Sequence, residues 1–383
     1  MIYADNAATT ALSPAAFRAM QPFFSEICGN PSSLHAAGQA AKRALEDARA
    51  RIAHCLHTVP ACITFTSGGT ESDVQALRSA AAIGAKNGKR RIISAAFEHH
   101  AVLRTLDALA QEGFQITLLP VSAEGFVSPD DLAAAITADT CLVSIMFANN
   151  EIGTIQPVQE IGAICRQHGV PFHTDAVQAA GHLPIDVQAL NISMLSLSAH
   201  KFHGPKGTGV LFAERGIRLK SVITGGAQER GNRAGTENLP AIAGMAAALE
   251  ESISRIPQQT GLLLQRRNRL IEGLSRIPQS FLNGSLSDRL PTNVSFCFAG
   301  IEGESLLLML DRRGICASSG SACASGAAEP SHVLRAIGRP NELARGSLRL
   351  SISADTTDAE IGEIIAAVTE SVAFLRGMTA SVS

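Results

Sequence analysis

FHTDAVQAAG (172–181) and LSLSAHKFHGPKGTGVL (195–211) are the two stretches whose reading decides the fold. Each opens on a short run fit for burial, VPFHTDA (170–176) and SMLSLSA (193–199), and breaks off in small and polar residues. Short continuous runs of this kind describe strands buried on both faces, and such strands belong to a parallel sheet. Upstream, the pattern repeats in ACITFT (61–66), RIISAAF (91–97), QITLLPV (115–121) and CLVSIMFA (141–148). Helical periodicity fills the gaps, over Glu71–Ile83 and in VQEIGAICRQHG (158–169). Strand and helix in alternation predict an α/β fold with a mostly parallel sheet covered on both faces.

Past GMAAALEESISRIPQ (244–258) the character changes. A long charged helix, LLLQRRNRLIEGLSRI (262–277), precedes TNVSFCFAG and GSLRLSIS, which read as antiparallel strands. We therefore expect a large domain over 13–256 and a smaller α+β domain over 1–12 and 257–383. The smaller one carries the Cys323 loop.

Open parallel sheets place ligands beyond the carboxyl ends of their strands. Asp175 and Lys201 both stand at such ends and can face one site. A lysine held there among small residues can lose enough of its basicity to act as a nucleophilic amine. The plainer alternative is a solvent-exposed strand-end lysine. Asp175 can pair with a pyridinium nitrogen and keep a pyridoxal-phosphate (PLP) ring protonated, or simply cap the next helix. Gln178 follows one turn later, within reach of a ring hydroxyl. Ser67-Gly68-Gly69-Thr70 joins a strand to a helix, where backbone N–H groups and the helix dipole suit a single phosphate. A tight turn needs the same glycines.

His99, after another strand end, can stack on a cofactor and move protons, or merely cap a helix. Asn149 and Asn150, after CLVSIMFA, need partners for their amides, and a cofactor or substrate carboxylate is one choice. Arg349 lies inside an apolar strand, where it requires a carboxylate partner, from substrate or from an Asp or Glu of the chain. Of the eight cysteines, none forms a C-x-x-C pair, and seven read as small apolar side chains. Cys323 differs. Its setting, ASSGSACASG, has no apolar periodicity and reads as an accessible loop suited to a sulfur-accepting thiol.

Composition narrows the classes. The chain has 383 residues with net charge −2, no Trp and one Tyr, which argues against a nucleic-acid surface. No apolar run reaches the ~18 residues a membrane span needs. The opening MIYADNAATT lacks a basic and apolar leader, so a cytoplasmic protein is expected.

These segments, with YADNAATT, GNPSSLH, FTSGGTESD, ANNEIGTIQP, GGAQERGNRAGTEN and SSGSACASGAAEPSHVLRAIG, resemble the class V aminotransferase family. Within it they are most similar to the NifS-type cysteine desulfurases. The resemblance spans residues 3 to about 350. It implies a PLP-dependent aminotransferase-like (fold type I) large domain and release of sulfur from L-cysteine to give alanine and a persulfide on Cys323. Lys201 would hold PLP as an internal aldimine, Asp175 would face the pyridine nitrogen, and His99 would stack on the ring. Thr70, Ser198 and His200 would bind phosphate beside Gly69, with Thr236 reaching it from the partner subunit of a homodimer. Gln178 would contact the ring oxygen, and Asn150 and Arg349 the substrate carboxylate. The sulfur would pass to an acceptor protein such as an iron–sulfur assembly scaffold. Family members often carry Gly where Ala199 stands. The early stop after FLRGMTASVS, without the tail of IscS-type relatives, leans toward the shorter NifS type. A selenocysteine lyase, an aminotransferase or a β-lyase would use the same Lys201–Asp175 pair, and only the Cys323 segment separates them. A binding module on the same fold would need none of these side chains.

Overall fold

A computed structural model describes residues 1–320 and 330–380. The short strand β1 (Ile2–Tyr3) opens the chain. The main sheet follows, from β2 (Ile63–Thr66), β3 (Arg91–Ala95), β4 (Gln115–Leu119), β5 (Thr140–Ser144), β6 (Phe172–Asp175), β7 (Met194–Ser198) and β8 (Gly209–Ala213). Its seven strands lie in the order β2-β8-β7-β6-β5-β3-β4. From β4 to β7 every pairing is parallel, and β8 runs antiparallel to both of its neighbours. All residues of β5, β6, β7 and β8 are buried. Alternate side chains divide between two cores: Ile92, Leu142, Met194 and Leu211 pack on one face. Their neighbours Ile93, Val143, Leu195 and Val210 pack on the other. Helix Gly69–Lys86 supplies Ala76, Leu77 and Ala80 to the first face.

Strands β9 (Ser280–Leu282), β10 (Asn293–Phe298) and β12 (Ser347–Ser351) form a second, antiparallel sheet, while β11 (Ile315–Cys316) pairs in parallel with β1. Ile2 and Ala4 join this region's separate core with Leu270, Phe296, Leu350 and Val368. Farther on, the N-terminal segment turns to the main sheet, where the Thr10 and Ser13 N–H groups donate to the His200 and His203 carbonyls. The expected charged helix is only the second half of a longer one, Leu239–Ser275. The 256/257 division falls inside that helix at Pro257, where periodicity alone offers no visible join. Observed strands are also shorter than the apolar runs. Beyond Ser144, for example, the Met146 N–H donates to the Glu98 carboxylate at 2.8 Å instead of continuing a ladder. The reading of seven cysteines as buried is too broad: Cys28 is exposed and Cys55 and Cys316 are half-buried. Among the described residues no helix is long and apolar enough to cross a membrane.

One buried ion pair fixes a loop used below. Arg49, on helix Ala36–Cys55, donates from Nη1 and Nη2 to the two Glu229 carboxylate oxygens, both at 2.7 Å. Glu229 also accepts the Phe65 N–H at 2.8 Å. Glu229 and the next residue, Arg230, hold left-handed φ values of 47° and 59°, costly for residues with a Cβ. The pair anchors that strained turn to the edge of the main sheet. Glu229→Gln leaves the buried Arg49 charge only the exposed Glu46, 3.2 Å from its Nε, and should destabilise the protein by about 3 kcal/mol. Urea unfolding of the two proteins measures this, and a change within about 0.5 kcal/mol, the size expected at an ordinary surface position, would mean that the pair is dispensable.

Candidate active site

The carboxyl ends of β6 and β7 and the turn after β2 open on one cavity of about 550 Å³. Three local features shape its phosphate-sized end. Helix Gly69–Lys86 points its N-terminus inward, with free backbone N–H groups and a favourable dipole. Gly69 is needed for a close approach, since a Cβ there would lie 2.7 Å from Val177 Cγ2. Ser198 and His200 approach from the end of β7. Burial, with help from Lys201 and Lys206, pushes the His200 imidazole down to about 4, so it is neutral at physiological pH. Glu71, in the same helix turn, would repel an anion if unpaired. Burial pushes its carboxyl up, but Arg233 Nε at 3.1 Å and the Ser67 N–H at 2.8 Å together hold it below its ordinary value.

At the opposite end, Lys201 Nζ donates to the Ala7 and Ala8 carbonyls at 2.6 and 2.8 Å. Gln178 Nε2 also donates to Ala7 O, at 3.0 Å. The N-terminal segment therefore orients two side chains that the motif analysis had placed without it. Asp175 is buried and accepts the Val177 N–H at 2.9 Å, an Asx turn in place of the helix cap considered above. Burial raises its carboxyl, while His99 and Lys201 oppose the rise. The helix-capping alternative for His99 is what the structure shows: it caps helix His100–Gln111, its Nδ1 accepting the Ala101 N–H at 3.1 Å, and the ring also borders the cavity.

Arg349 is 2% exposed on β12 and reaches the cavity between the two sheets. It donates to Asp5 Oδ1 at 2.9 Å and to the Asn150 and Gly320 carbonyls at 3.3 and 3.4 Å, and among the described residues its Nε has no hydrogen-bond partner. The carboxylate partner seen is therefore one from the chain, Asp5, and some donor capacity is left over.

The cavity brings together Gly69, Thr70, His99, Asn150, Asp175, Gln178, Ser198, His200, Lys201 and Arg349. Thr236 stands outside it and is exposed. Cys323 lies outside the described residues. Asn149 needs correction: it is buried, donates to Phe97 O and accepts from the Glu151 and Ile152 N–H groups. Its amide is consumed in shaping the turn. Residue patterns missed Asp73, Glu151, Lys206 and His332, all of which line the cavity. Asp73 lay within the quoted FTSGGTESD, but helical periodicity alone does not say which side chain faces a ligand.

A phosphate-sized pocket at a helix N-terminus, a buried carboxylate and a lysine at the far end suit a phosphorylated pyridine aldehyde. Fold and cavity together define an α/β enzyme built around such a cofactor. The chain belongs to the aminotransferase class-V family, whose sequence profile matches residues 2–364. A protein named cysteine desulfurase IscS from Methanosarcina thermophila is 50% identical over 378 residues, covering 99% of this chain and 93% of that protein. A protein of the same name from Clostridium botulinum is 50% identical, over 95% of this chain and 92% of its own length. A solved NifS-like protein superposes with a TM-score of 0.91 at 36% identity, covering 97% and 99% of the two chains. Another solved relative, described as SspA in complex with cysteine, reaches a TM-score of 0.80 at 35% identity over 92% and 99%.

Proposed function

We propose that the chain is a PLP-dependent cysteine desulfurase that converts L-cysteine to L-alanine and leaves the sulfur as a persulfide on Cys323. The observation that carries this reading is the meeting of Lys201, Asp175, the Gly69–Thr70 helix terminus and Arg349 in one cavity. Relatives at 50% identity over nearly the whole chain bear the same activity in their names.

Bound in this cavity, PLP supplies an electron sink for the charge that develops at the substrate Cα. Lys201 would be the residue that holds it, and its Nζ would take and return the substrate Cα proton. Asp175 would pair with the ring nitrogen, and His99 would lie against the ring. Thr70, Ser198 and His200 hold the phosphate, and Gln178 the ring oxygen. Arg349 and Asn150 receive the substrate carboxylate, with Asp5 keeping the guanidinium in place. The Cys323 thiolate attacks the substrate sulfur, and the electron pair of the broken C–S bond stays on Cβ. Proton delivery to that carbon, with His99 as carrier for the thiol chemistry, completes alanine. One thiol is thereby exchanged for one persulfide, and no external oxidant is required.

The same reading covers the surroundings. Thr236, exposed on the loop that Glu229 anchors, serves the phosphate of the partner subunit in a homodimer. On this reading the active site lies between a domain over 13–256 and one over 1–12 with 257–383. The persulfide passes to an acceptor protein such as an iron–sulfur assembly scaffold in the cytoplasm.

Assaying alanine and sulfide from L-cysteine with added PLP tests the function directly. Sulfide without alanine would sink it. A second expected result concerns Arg349→Lys, which keeps the charge but loses the paired donors. The KM for cysteine should rise by roughly 10- to 100-fold, the equivalent of one lost hydrogen bond to a charged group, with a smaller change in kcat. An unchanged KM would remove Arg349 from the substrate site.

A further inference from the structure

Asp73 is fully buried on helix Gly69–Lys86, lines the cavity, and has no hydrogen-bond partner for Oδ1. One of its carboxylate oxygens lies within 4.8 Å of a carboxylate oxygen of Asp175 and of a ring nitrogen of His99. Among the described residues no lysine or arginine pairs with Asp73. The nearby His173 ring, 3.6 Å from Oδ1, already faces the Ser144 hydroxyl at 2.9 Å and the Ser196 hydroxyl at 3.0 Å. Burial pushes the His173 imidazole down to about 3, so it stays neutral. Lys201 and the Val177 N–H favour the charged form of Asp175. For Asp73 the balance goes the other way: burial and then the neighbouring Asp175 raise its carboxyl well above the ordinary range, and the Ser196 hydroxyl only partly opposes the rise. Glu98, also buried, is raised by burial in the same way, so the acidic side chains here share too little positive charge for all of them to ionise.

Two carboxyls this close in a water-poor site do not both ionise at low cost. Since the more exposed to cations of the two is Asp175, the proton belongs mainly to its neighbour. Resting on the PLP reading above, we propose that Asp73 is a positioning residue that shares one proton with Asp175, so that the pair presents a single negative charge to the cofactor ring. A neutral Asp73 then donates to Asp175 and fixes the direction in which that carboxylate points.

The test has two arms, both on the full chain. In the first, cofactor-free wild type and Asp73→Asn are unfolded in urea between pH 5 and pH 8. An acid whose pKa is raised in the folded protein binds more protons there than in the unfolded chain, so wild-type stability falls as pH rises above the unfolded value. The variant lacks this proton. Its unfolding constant should therefore drop relative to wild type by up to about tenfold per pH unit. A ratio independent of pH, or one moving the other way, overturns the shared proton. Asp73→Ala provides the same comparison if the asparagine variant does not fold.

In the second arm, the visible band of the PLP-loaded protein is titrated. Asp73→Asn keeps a neutral donor and should leave the midpoint nearly unchanged. Asp73→Ala removes it and should move the midpoint upward by roughly one pH unit, the size of a lost charge-assisted hydrogen bond. Equal midpoints in all three proteins would overturn the positioning role. If wild type forms no visible band, the PLP reading fails, while the first arm still decides whether the proton is shared.

Discussion

Cys323→Ala should abolish desulfuration of L-cysteine while leaving the bound cofactor's visible band intact. The loss should be at least about a hundredfold, because an external thiol must then replace a tethered one whose effective concentration can exceed ~10⁵ M when well oriented. Intact spectra would show that Lys201, Asp175 and the helix N-terminus still hold PLP, as expected if Cys323 takes no part in binding it. The buried cysteines are poor substitutes. Burial pushes the Cys141 thiol up to about 11 and the Cys165 thiol up to about 12, so neither offers thiolate at neutral pH. Measuring alanine and sulfide with wild type and variant side by side decides the matter. Full activity in the variant would mean that sulfur leaves by elimination, which makes the protein a lyase.

Lys201→Ala should remove covalent attachment of the cofactor together with the proton transfer at Cα. Positioned general bases contribute roughly 10²–10⁴-fold, so activity should drop by at least that much. Borohydride reduction followed by peptide mass analysis provides the independent readout: the label is expected on the Lys201 peptide of wild type and absent from the variant. This experiment also separates two lysines, since Lys206 lines the same cavity. A label on Lys206 would transfer the role. Lys201 is the expected site because two carbonyls, of Ala7 and Ala8, already hold its Nζ inside the cavity, whereas Lys206 is exposed.

Much of this site was legible in the residues because strand ends are legible. Asp175, Ser198 and Lys201 follow short runs suited to burial, and a parallel sheet sends such positions to one edge. Gly69 and Thr70 were found through the turn chemistry that precedes a helix. Residues carried on helices were harder. Asp73 sits one helical turn inside an ordinary amphipathic pattern, and nothing local tells a core-facing carboxyl from a cavity-facing one. The long helix Leu239–Ser275 was split in the sequence reading for a related reason: its first half packs on one core and its second half on another, so the apolar face changes along it.

The sequence by itself determined the alternation of buried strands and helices, the parallel sheet that follows from it, and the family. Those properties depend on periodicity and on short motifs, which are local. Tertiary structure alone decided which groups meet. Arg349 comes from a strand of the second sheet and is oriented by Asp5, far away in the chain. Lys201 is held by Ala7 and Ala8, and Asp73 faces Asp175 across the cavity edge. Contacts between such distant segments depend on how the two sheets and the N-terminal strand pack together, and burial then sets the charges they carry.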